Sequence, residues 1–121
     1  MLIVLATPRL HALREFIEAL ERAAGAGIVP AESGAEVLEL AKAKAPALAV
    51  IDQGLPDMEP LAVVKALLQV NALINAAVLT PMLPEEFHEA AEGLGVLASL
   101  PLNPGPADAG ELAVALRRIT G

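Results

Sequence analysis

The chain has 121 residues, of which 55% are hydrophobic, and this length and composition suit one domain with a single core. The absence of cysteine excludes disulfides, thiolate nucleophiles and cysteine zinc sites, and two histidines are too few for a histidine-rich metal site. Fifteen acidic against eight basic residues give a net charge of -7, and two phenylalanines are the whole aromatic content, so the chain has neither the basic patch nor the stacking platform of a nucleic-acid-binding protein.

The high hydrophobic fraction also raises the question of a membrane span. The longest uncharged run, residues 66–84, approaches the length of a spanning helix, but it contains Asn71 and Pro81, which would place polar groups and broken backbone in hydrocarbon. The apolar N-terminus lacks a basic flank and reaches Pro8 too early for a signal peptide. We therefore expect a cytoplasmic protein that neither spans a membrane nor is exported.

Short apolar runs alternate along the chain with longer stretches of helical periodicity. In chain order these predict a strand at 2–6, a helix at 9–24, a strand at 28–29, a helix at 34–45, a strand at 48–51, a helix at 61–70, a strand at 76–79, a helix at 84–92, a strand at 96–100 and a helix at 109–120. Capping boxes at 33–36 and 108–111 predict two helix starts, and Thr7–Pro8 predicts the first. Strand-then-helix units without a hairpin signal indicate an α/β sandwich around a parallel sheet, in one domain of residues 1–121.

The carboxyl ends of the strands are where an open parallel sheet binds its ligands. The residues that follow four of the predicted strands are Thr7, Asp52, Thr80 and Leu100, and of these only Asp52 is ionisable. A lone carboxylate near a threonine can serve as a phosphoacceptor or a ligand group. It can equally cap backbone amides of the next loop, and spacing leaves both interpretations open.

The segment from Val50 to Met58, with the sequence VIDQGLPDM, resembles the phosphoacceptor segment of bacterial response-regulator receiver domains. Four further segments fall at the spacings of that family, so the resemblance covers nearly the whole chain: 33–40, 46–48, 78–80 and 100–101. The resemblance implies a flavodoxin-like sandwich with a parallel sheet of strand order 2-1-3-4-5. It also implies a role in phosphorelay, or two-component, signal transduction.

The resemblance assigns roles to particular residues. Asp52 stands at the phosphoacceptor position, and Thr80 and Leu97 stand at the family's switch positions. Receivers usually carry a cis peptide bond before the proline that follows the fifth strand, which implies a cis bond before Pro101.

Three positions depart from the family pattern. Typical receivers end the first strand in two acidic residues that hold Mg²⁺, where this chain has Ala6 and Thr7, and Leu100 replaces the family's lysine. Since Mg²⁺ prefers carboxylate oxygens, we expect it to bind poorly, no other cofactor to be used, and less positive charge to lie near Asp52 than in typical receivers. The expected protein is a degenerate receiver, or pseudo-receiver, that is not an enzyme and acts through protein contacts.

The expected partners are proteins: a kinase, an effector or a second copy of the chain in a homodimer. In the resembling family they dock on the face built from the fifth strand and its flanking helices, and here that face would carry Phe87, His88, Leu97, Leu102, Val114 and Arg117. We expect neither nucleic acid nor a membrane as partner. Two alternatives stay open: a conventional receiver phosphorylated on Asp52 through an unusual metal arrangement, and a flavodoxin-like domain that binds a small ligand.

Overall fold

Strands and helices alternate along residues 1–120, which are the residues that the computed structural model describes. In chain order the elements are β1 (Leu2–Ala6), a short 3-10 helix (Leu10–Leu13), α1 (Arg14–Ala24), β2 (Gly27–Ala31), α2 (Gly34–Lys44), β3 (Leu48–Ile51), α3 (Pro60–Val70), β4 (Asn75–Leu79), α4 (Pro84–Ala90), β5 (Ala98–Leu100) and α5 (Pro106–Thr120). Gly121, the last residue of the predicted domain, lies outside the described residues. The alternation is the one that the hydrophobic pattern predicts.

The strands form one parallel sheet in the order β2-β1-β3-β4-β5, which confirms the predicted flavodoxin-like topology. Ala6 pairs with Ile51, Ile51 pairs with Val78, and Leu79 pairs with Leu100. Because neighbouring strands therefore end at nearly the same level, the residues that follow β1, β3, β4 and β5 lie together along one edge of the sheet. That edge holds the candidate site.

Apolar clusters cover both faces of the sheet. Along β1, Ile3 and Leu5 belong to the cluster that also contains α1 and α5 side chains, whereas Val4 and Ala6 belong to the cluster with α2 and α3. Every residue of Leu48–Ile51 is buried, since β3 lies in the middle of the sheet with helices on both sides. This central strand provides a rigid support for the residue that follows it.

One of the two predicted capping boxes forms where it was expected. The Ser33 hydroxyl accepts a hydrogen bond from the Glu36 amide at 3.1 Å, as the first predicted capping box requires. The second box is misplaced: α5 begins at Pro106, and the carboxylate of Asp108 accepts from the Gly105 amide at 2.8 Å instead of capping the helix as its first residue. Proline is favourable at the first helical position because its φ is already helical and it has no N–H that needs a partner.

The predicted helix start at Thr7 is wrong as well. Residues 7–9 leave β1 as a loop, a 3-10 helix follows, and α1 begins only at Arg14. The Thr7 hydroxyl accepts from the Arg9 amide at 3.0 Å and donates to Asp52, so its hydrogen bonds serve the sheet edge rather than a helix. β2 is longer than predicted and includes Pro30, which an edge strand tolerates because one of its sides lacks a partner strand.

No helix within residues 1–120 combines the length and the apolar composition that crossing a membrane requires. The long uncharged run at residues 66–84 is divided between α3, β4 and the loops that follow them. The polar residues and prolines within the run lie mainly where these elements end.

The Leu100–Pro101 peptide bond is trans, so the predicted cis bond is wrong. For a bond before proline the trans form is favoured by about 0.5–1 kcal/mol, and the cis form persists only where the surrounding structure holds it. In this trans geometry the Leu100 side chain lies in the apolar cluster, and the Leu102 carbonyl accepts a hydrogen bond from Arg9.

Candidate functional site

Asp52 is the residue on which the sheet edge converges. It follows β3 directly, its amide donates to the Ala6 carbonyl at 2.9 Å, and its side chain is 0% exposed. A carboxylate buried this completely requires hydrogen-bond donors and an opposite charge, since burial strongly disfavours an unpaired charge. Its surroundings therefore decide what it can do chemically.

Both oxygens of the Asp52 carboxylate are engaged by donors. The Thr7 hydroxyl donates to Oδ2 at 2.7 Å, and the Gln53 amide donates to Oδ1 at 2.7 Å. Arg9 adds a bidentate contact, from Nε to Oδ2 at 2.8 Å and from Nη2 to Oδ1 at 3.1 Å. Each oxygen thus accepts two hydrogen bonds, one of them from a cation. The interpretation of Asp52 as a group that caps its own loop is correct for the Gln53 amide.

Arg9 is the residue that the sequence analysis missed. Its side chain is 31% exposed, so the guanidinium closes the site from the solvent side. The hydrogen bond to Asp52 and the charge of that carboxylate raise the pKa of Arg9, against a smaller opposing effect of burial. The positive charge beside Asp52 therefore comes from a residue to which the sequence analysis gave no role.

A signal for Arg9 exists in the sequence. Within three positions after the end of each strand, Arg9 is the only basic residue among the described ones. The sequence analysis gave Arg9 no role because it predicted a helix from residue 9, which would have placed Arg9 in the first helical turn rather than in a loop beside Asp52.

Thr80, which was predicted to stand at a switch position, is buried, and its hydroxyl is used within its own loop. Oγ1 accepts from the Met82 amide at 3.1 Å, and the Thr80 amide donates to the Leu100 carbonyl at 2.9 Å. The side chain of Gln53 connects the loop after β3 to the end of β4, since its Nε2 donates to the Leu79 carbonyl at 2.8 Å. The structure brings Thr80 and Asp52 to the same edge without a hydrogen bond between them in residues 1–120.

Leu100 and Ala6, two of the positions predicted to depart from the family pattern, are apolar and buried. Leu100 is 7% exposed and belongs to the cluster that contains Leu79 and Ala109, on the face covered by α1 and α5. Ala6 is buried in the opposite cluster. The Leu100 side chain, at the position compared with the family's lysine, therefore contributes to the core and offers no charge to Asp52.

The resemblance to receivers implies a Mg²⁺ ion at this edge, and the residues present do not fit one. Mg²⁺ is bound through carboxylates, carbonyls and water in near-octahedral geometry. Here the Asp52 oxygens already accept from Thr7, Gln53 and Arg9, and the guanidinium would repel a second cation. Among residues 1–120, no three His, Cys, Asp or Glu side chains lie close enough together to hold a metal ion.

Three residues predicted for partner binding line one groove. Phe87, His88 and Leu97 border a cavity of about 370 Å³ between α4 and β5. Phe87 is only 6% exposed and belongs to the core, so it forms the floor of this groove. His88 is exposed, and the switch position Leu97 is half-buried against the cluster of α1 and α5.

The other three predicted contact residues lie elsewhere. Val114 and Arg117 are exposed and line a second groove on α5, where Arg117 Nη1 donates to the Ala23 carbonyl at 2.6 Å. Leu102 is half-buried in the loop after β5, and its carbonyl accepts from Arg9. Arg117 thus holds the end of α1, and Leu102 belongs to the Asp52 site.

A further cavity, of about 550 Å³, opens at the carboxyl ends of β1 and β2. Its walls include Thr7, Glu32 and Glu36 together with several prolines, and Asp52 is not among them. A smaller cavity, of about 190 Å³, lies at the ends of β3 and β4 and is bordered by Gln53 and Thr80, again without Asp52.

Asp57 is a second residue that the sequence analysis left in a loop without a role. Its carboxylate accepts from the Gly34 amide at 2.8 Å and from the Ala35 amide at 3.0 Å, so it lies at the N-terminus of α2. These backbone hydrogen bonds lower the pKa of Asp57. The exposed carboxylate connects the loop after β3 to α2.

The lowered pKa of Asp57 predicts a pH-dependent contribution to stability. A carboxyl whose pKa is lower in the folded state stabilises the fold above its unfolded value of about 4, and this contribution is lost as the pH falls through the folded-state pKa. We expect Asp57→Asn to be less stable than wild type at neutral pH, with the difference shrinking in acid. Urea unfolding of both proteins at several pH values measures it, and a difference that is constant with pH would contradict the assignment.

No protein-family model and no curated protein matches the sequence. Among solved structures, the chain is similar to the signal receiver domain of the response regulator NarL from Mycobacterium tuberculosis, with 19% identity, a TM-score of 0.81, and coverage of 97% of this chain and 95% of that one. It is similar to the non-phosphorylated receiver domain of RcsB from Escherichia coli, with 16% identity, a TM-score of 0.83, and coverage of 98% and 93%. The receiver domain of AraT from Geobacillus stearothermophilus gives 21% identity, a TM-score of 0.82, and coverage of 98% and 94%. With its sheet order and these neighbours, the chain has the fold of the receiver domains of response regulators.

Proposed function

We propose that this chain is an atypical receiver module of two-component signal transduction that acts by contact with a protein partner, without standard Mg²⁺-dependent phosphorylation. The observation that carries this proposal is the state of Asp52, whose buried carboxylate is fully engaged by Arg9, Thr7 and Gln53. The fold supports a receiver-like role, and the Asp52 edge argues against the usual chemistry.

Phosphoryl transfer to a carboxylate depends on positioning and on neutralising the charge of the transferred group. The attacking oxygen must reach phosphorus in line with the leaving group. At Asp52 each oxygen already accepts two hydrogen bonds and no part of the side chain is exposed. Leu100 supplies no cation for the product, and the one cation present already pairs with the carboxylate.

The alternative of a small-ligand-binding domain has less support. A ligand site at the edge of such a sheet would be expected to use the polar group at the end of β3. The cavity of about 550 Å³ beside β1 and β2 excludes Asp52 from its lining and is bordered by the carboxylates of Glu32 and Glu36. Asp52 is also absent from the lining of a smaller cavity, of about 190 Å³, that Gln53 and Thr80 border at the ends of β3 and β4.

The proposed partner is a kinase, an effector or a second copy of the chain, met in the cytoplasm. Two surfaces support this role. One is the groove between α4 and β5, bordered by His88 and Leu97, and the other is the exposed side of α5 with Val114. The cysteine-free composition is consistent with a reducing compartment.

Incubation with acetyl phosphate and Mg²⁺ tests the proposal. We expect the intact mass of the wild-type protein to stay unchanged, because the Asp52 oxygens are occupied and residues 1–120 hold no cluster of metal-ligating side chains. A receiver domain already shown to accept a phosphoryl group from acetyl phosphate serves as the control for the reagents, and Asp52→Asn as the control for the residue. A phosphoryl mass gain in wild type that is absent from Asp52→Asn would show conventional phosphorylation and refute the proposal.

A further inference from the structure

We infer that Arg9 is a built-in counter-ion that takes the place of a divalent cation at Asp52 and, through the same guanidinium, ties residues 102–103 of the β5–α5 loop to the sheet edge. The inference goes beyond the proposed function, because it concerns a permanent link inside this chain and does not depend on any partner.

The geometry of the guanidinium supports this double role. An arginine side chain has five N–H donors in a rigid planar fork, and Nε with Nη2 form the bidentate pair with Asp52. Nη1 donates to the Asn103 side-chain oxygen at 3.0 Å, and Nη2 also donates to the Leu102 carbonyl. One cation therefore joins the loops that follow β3 and β5.

The backbone of Arg9 is held as firmly as its side chain. Its amide donates to the Thr7 hydroxyl at 3.0 Å, and that hydroxyl donates in turn to Asp52 at 2.7 Å. Thr7 is buried, so these bonds are protected from water. The position that a receiver would use for an acidic metal ligand thus orients a cation instead.

The loop after β5 has few other ties at its start. Between Pro101 and Pro104, the hydrogen bonds present in residues 1–120 are the two that Arg9 donates to Leu102 and Asn103. Pro104 is buried and anchors the far end, and the Gly105 amide is bonded to Asp108. Removal of the guanidinium should therefore loosen Leu102 and Asn103 while the start of α5 stays in place.

A metal ion would add nothing to this arrangement. The charge of Asp52 is already balanced, and its oxygens already accept their hydrogen bonds. The loop position should therefore be the same with and without divalent cations, in contrast to a site whose order depends on ion binding.

The first experiment measures loop order by ¹⁵N relaxation of the full chain. In wild type we expect amide order parameters of Leu102 and Asn103 near the rigid value of about 0.85, falling to about 0.6 or lower in Arg9→Ala. Arg14→Ala, which removes an exposed arginine at the start of α1, is the matched control and should leave them unchanged. Unchanged order parameters in Arg9→Ala would overturn the inference.

A second variant keeps the test decisive if Arg9→Ala fails to fold. Asn103→Ala removes one tie without touching Asp52, and we expect it to loosen Asn103 while the Arg9 Nε–H resonance stays protected from exchange with water. In Asp52→Ala the same Nε–H resonance should lose its protection, because no side-chain acceptor remains at position 52. Persistence of that protection in Asp52→Ala would overturn the pairing.

The cation arm titrates wild type with millimolar Mg²⁺ and follows the Thr7 and Gln53 amides. We expect no saturable shift, whereas a saturable shift that disappears in Asp52→Asn would show that a metal still binds and overturn the replacement. The two proposals fail separately: a phosphoryl gain with acetyl phosphate refutes the proposed function, while the loop measurements in the absence of phosphoryl donor decide the role of Arg9.

Discussion

Replacing Arg9 with alanine is expected to lower the free energy of unfolding by about 3 kcal/mol, which corresponds to a fall of about 10 °C in Tm for a chain of this size. The substitution leaves the fully buried Asp52 carboxylate without its cation, and breaking one partner of a buried pair typically costs about 3–5 kcal/mol. The lower end applies because the Arg9 side chain is 31% exposed, so water can enter in its place. Urea and thermal unfolding at neutral pH measure the effect.

A double-mutant cycle separates the ion pair from other effects of the substitution. We expect Asp52→Asn to be destabilising as well, and Arg9→Ala to cost much less in the Asp52→Asn background, with a coupling of about 1–3 kcal/mol. Arg14→Ala, on the exposed side of α1, should change stability by less than about 0.5 kcal/mol. An equal cost of Arg9→Ala in both backgrounds would show that the pair makes no net contribution.

Leu100→Lys is expected to destabilise the fold by about 3–4 kcal/mol and not to restore receiver chemistry. Leu100 is 7% exposed and packs with Leu79 and Ala109, so the substitution removes a buried leucine and places an ammonium group in an apolar cluster. The negative charge that the family's lysine would pair with is already neutralised by Arg9. The measurement is again urea unfolding, combined with the acetyl phosphate assay.

Two controls accompany Leu100→Lys. Leu100→Met keeps the volume and polarity of the side chain and should cost less than about 1.5 kcal/mol. Leu97→Lys places the same charge at a half-buried position just before β5 and should cost less than Leu100→Lys. A Leu100→Lys protein as stable as wild type would mean that the ammonium group reaches the sheet edge, contrary to the packing of Leu100.

The fold follows from patterns that are local in the sequence. The run at Leu48–Ile51 is apolar without alternation because β3 is covered on both faces, and the structure has a strand with those bounds. The strand-then-helix units indicated a parallel α/β sandwich, the strand order came from the resemblance to receivers, and the sheet confirms both. Element ends were less predictable: α1 and α5 begin away from their expected caps because Thr7 and Asp108 have other hydrogen-bond partners.

The sequence predicted which residues follow the strands, but it did not predict the contact between Arg9 and Asp52, which are far apart along the chain. Ala6, Thr7 and Leu100 could be compared with the family pattern position by position. The contact between Arg9 and Asp52 joins residues 43 positions apart, and it requires a loop where helical periodicity predicted a helix. No local pattern reports such a contact, since it depends on the path of residues 7–9 over the sheet edge.

The sequence by itself determined the class of fold, the order of the elements, and which residues follow each strand. These depend on which residue types occupy which periodic positions, and burial follows periodicity. The tertiary structure decided how the Asp52 carboxylate is held: Arg9, in the loop after β1, supplies a cation, and Thr7 supplies a hydroxyl donor. It also decided that the peptide bond before Pro101 is trans. A buried carboxylate must find its partners in space, and those partners become visible only when the strand ends are brought together.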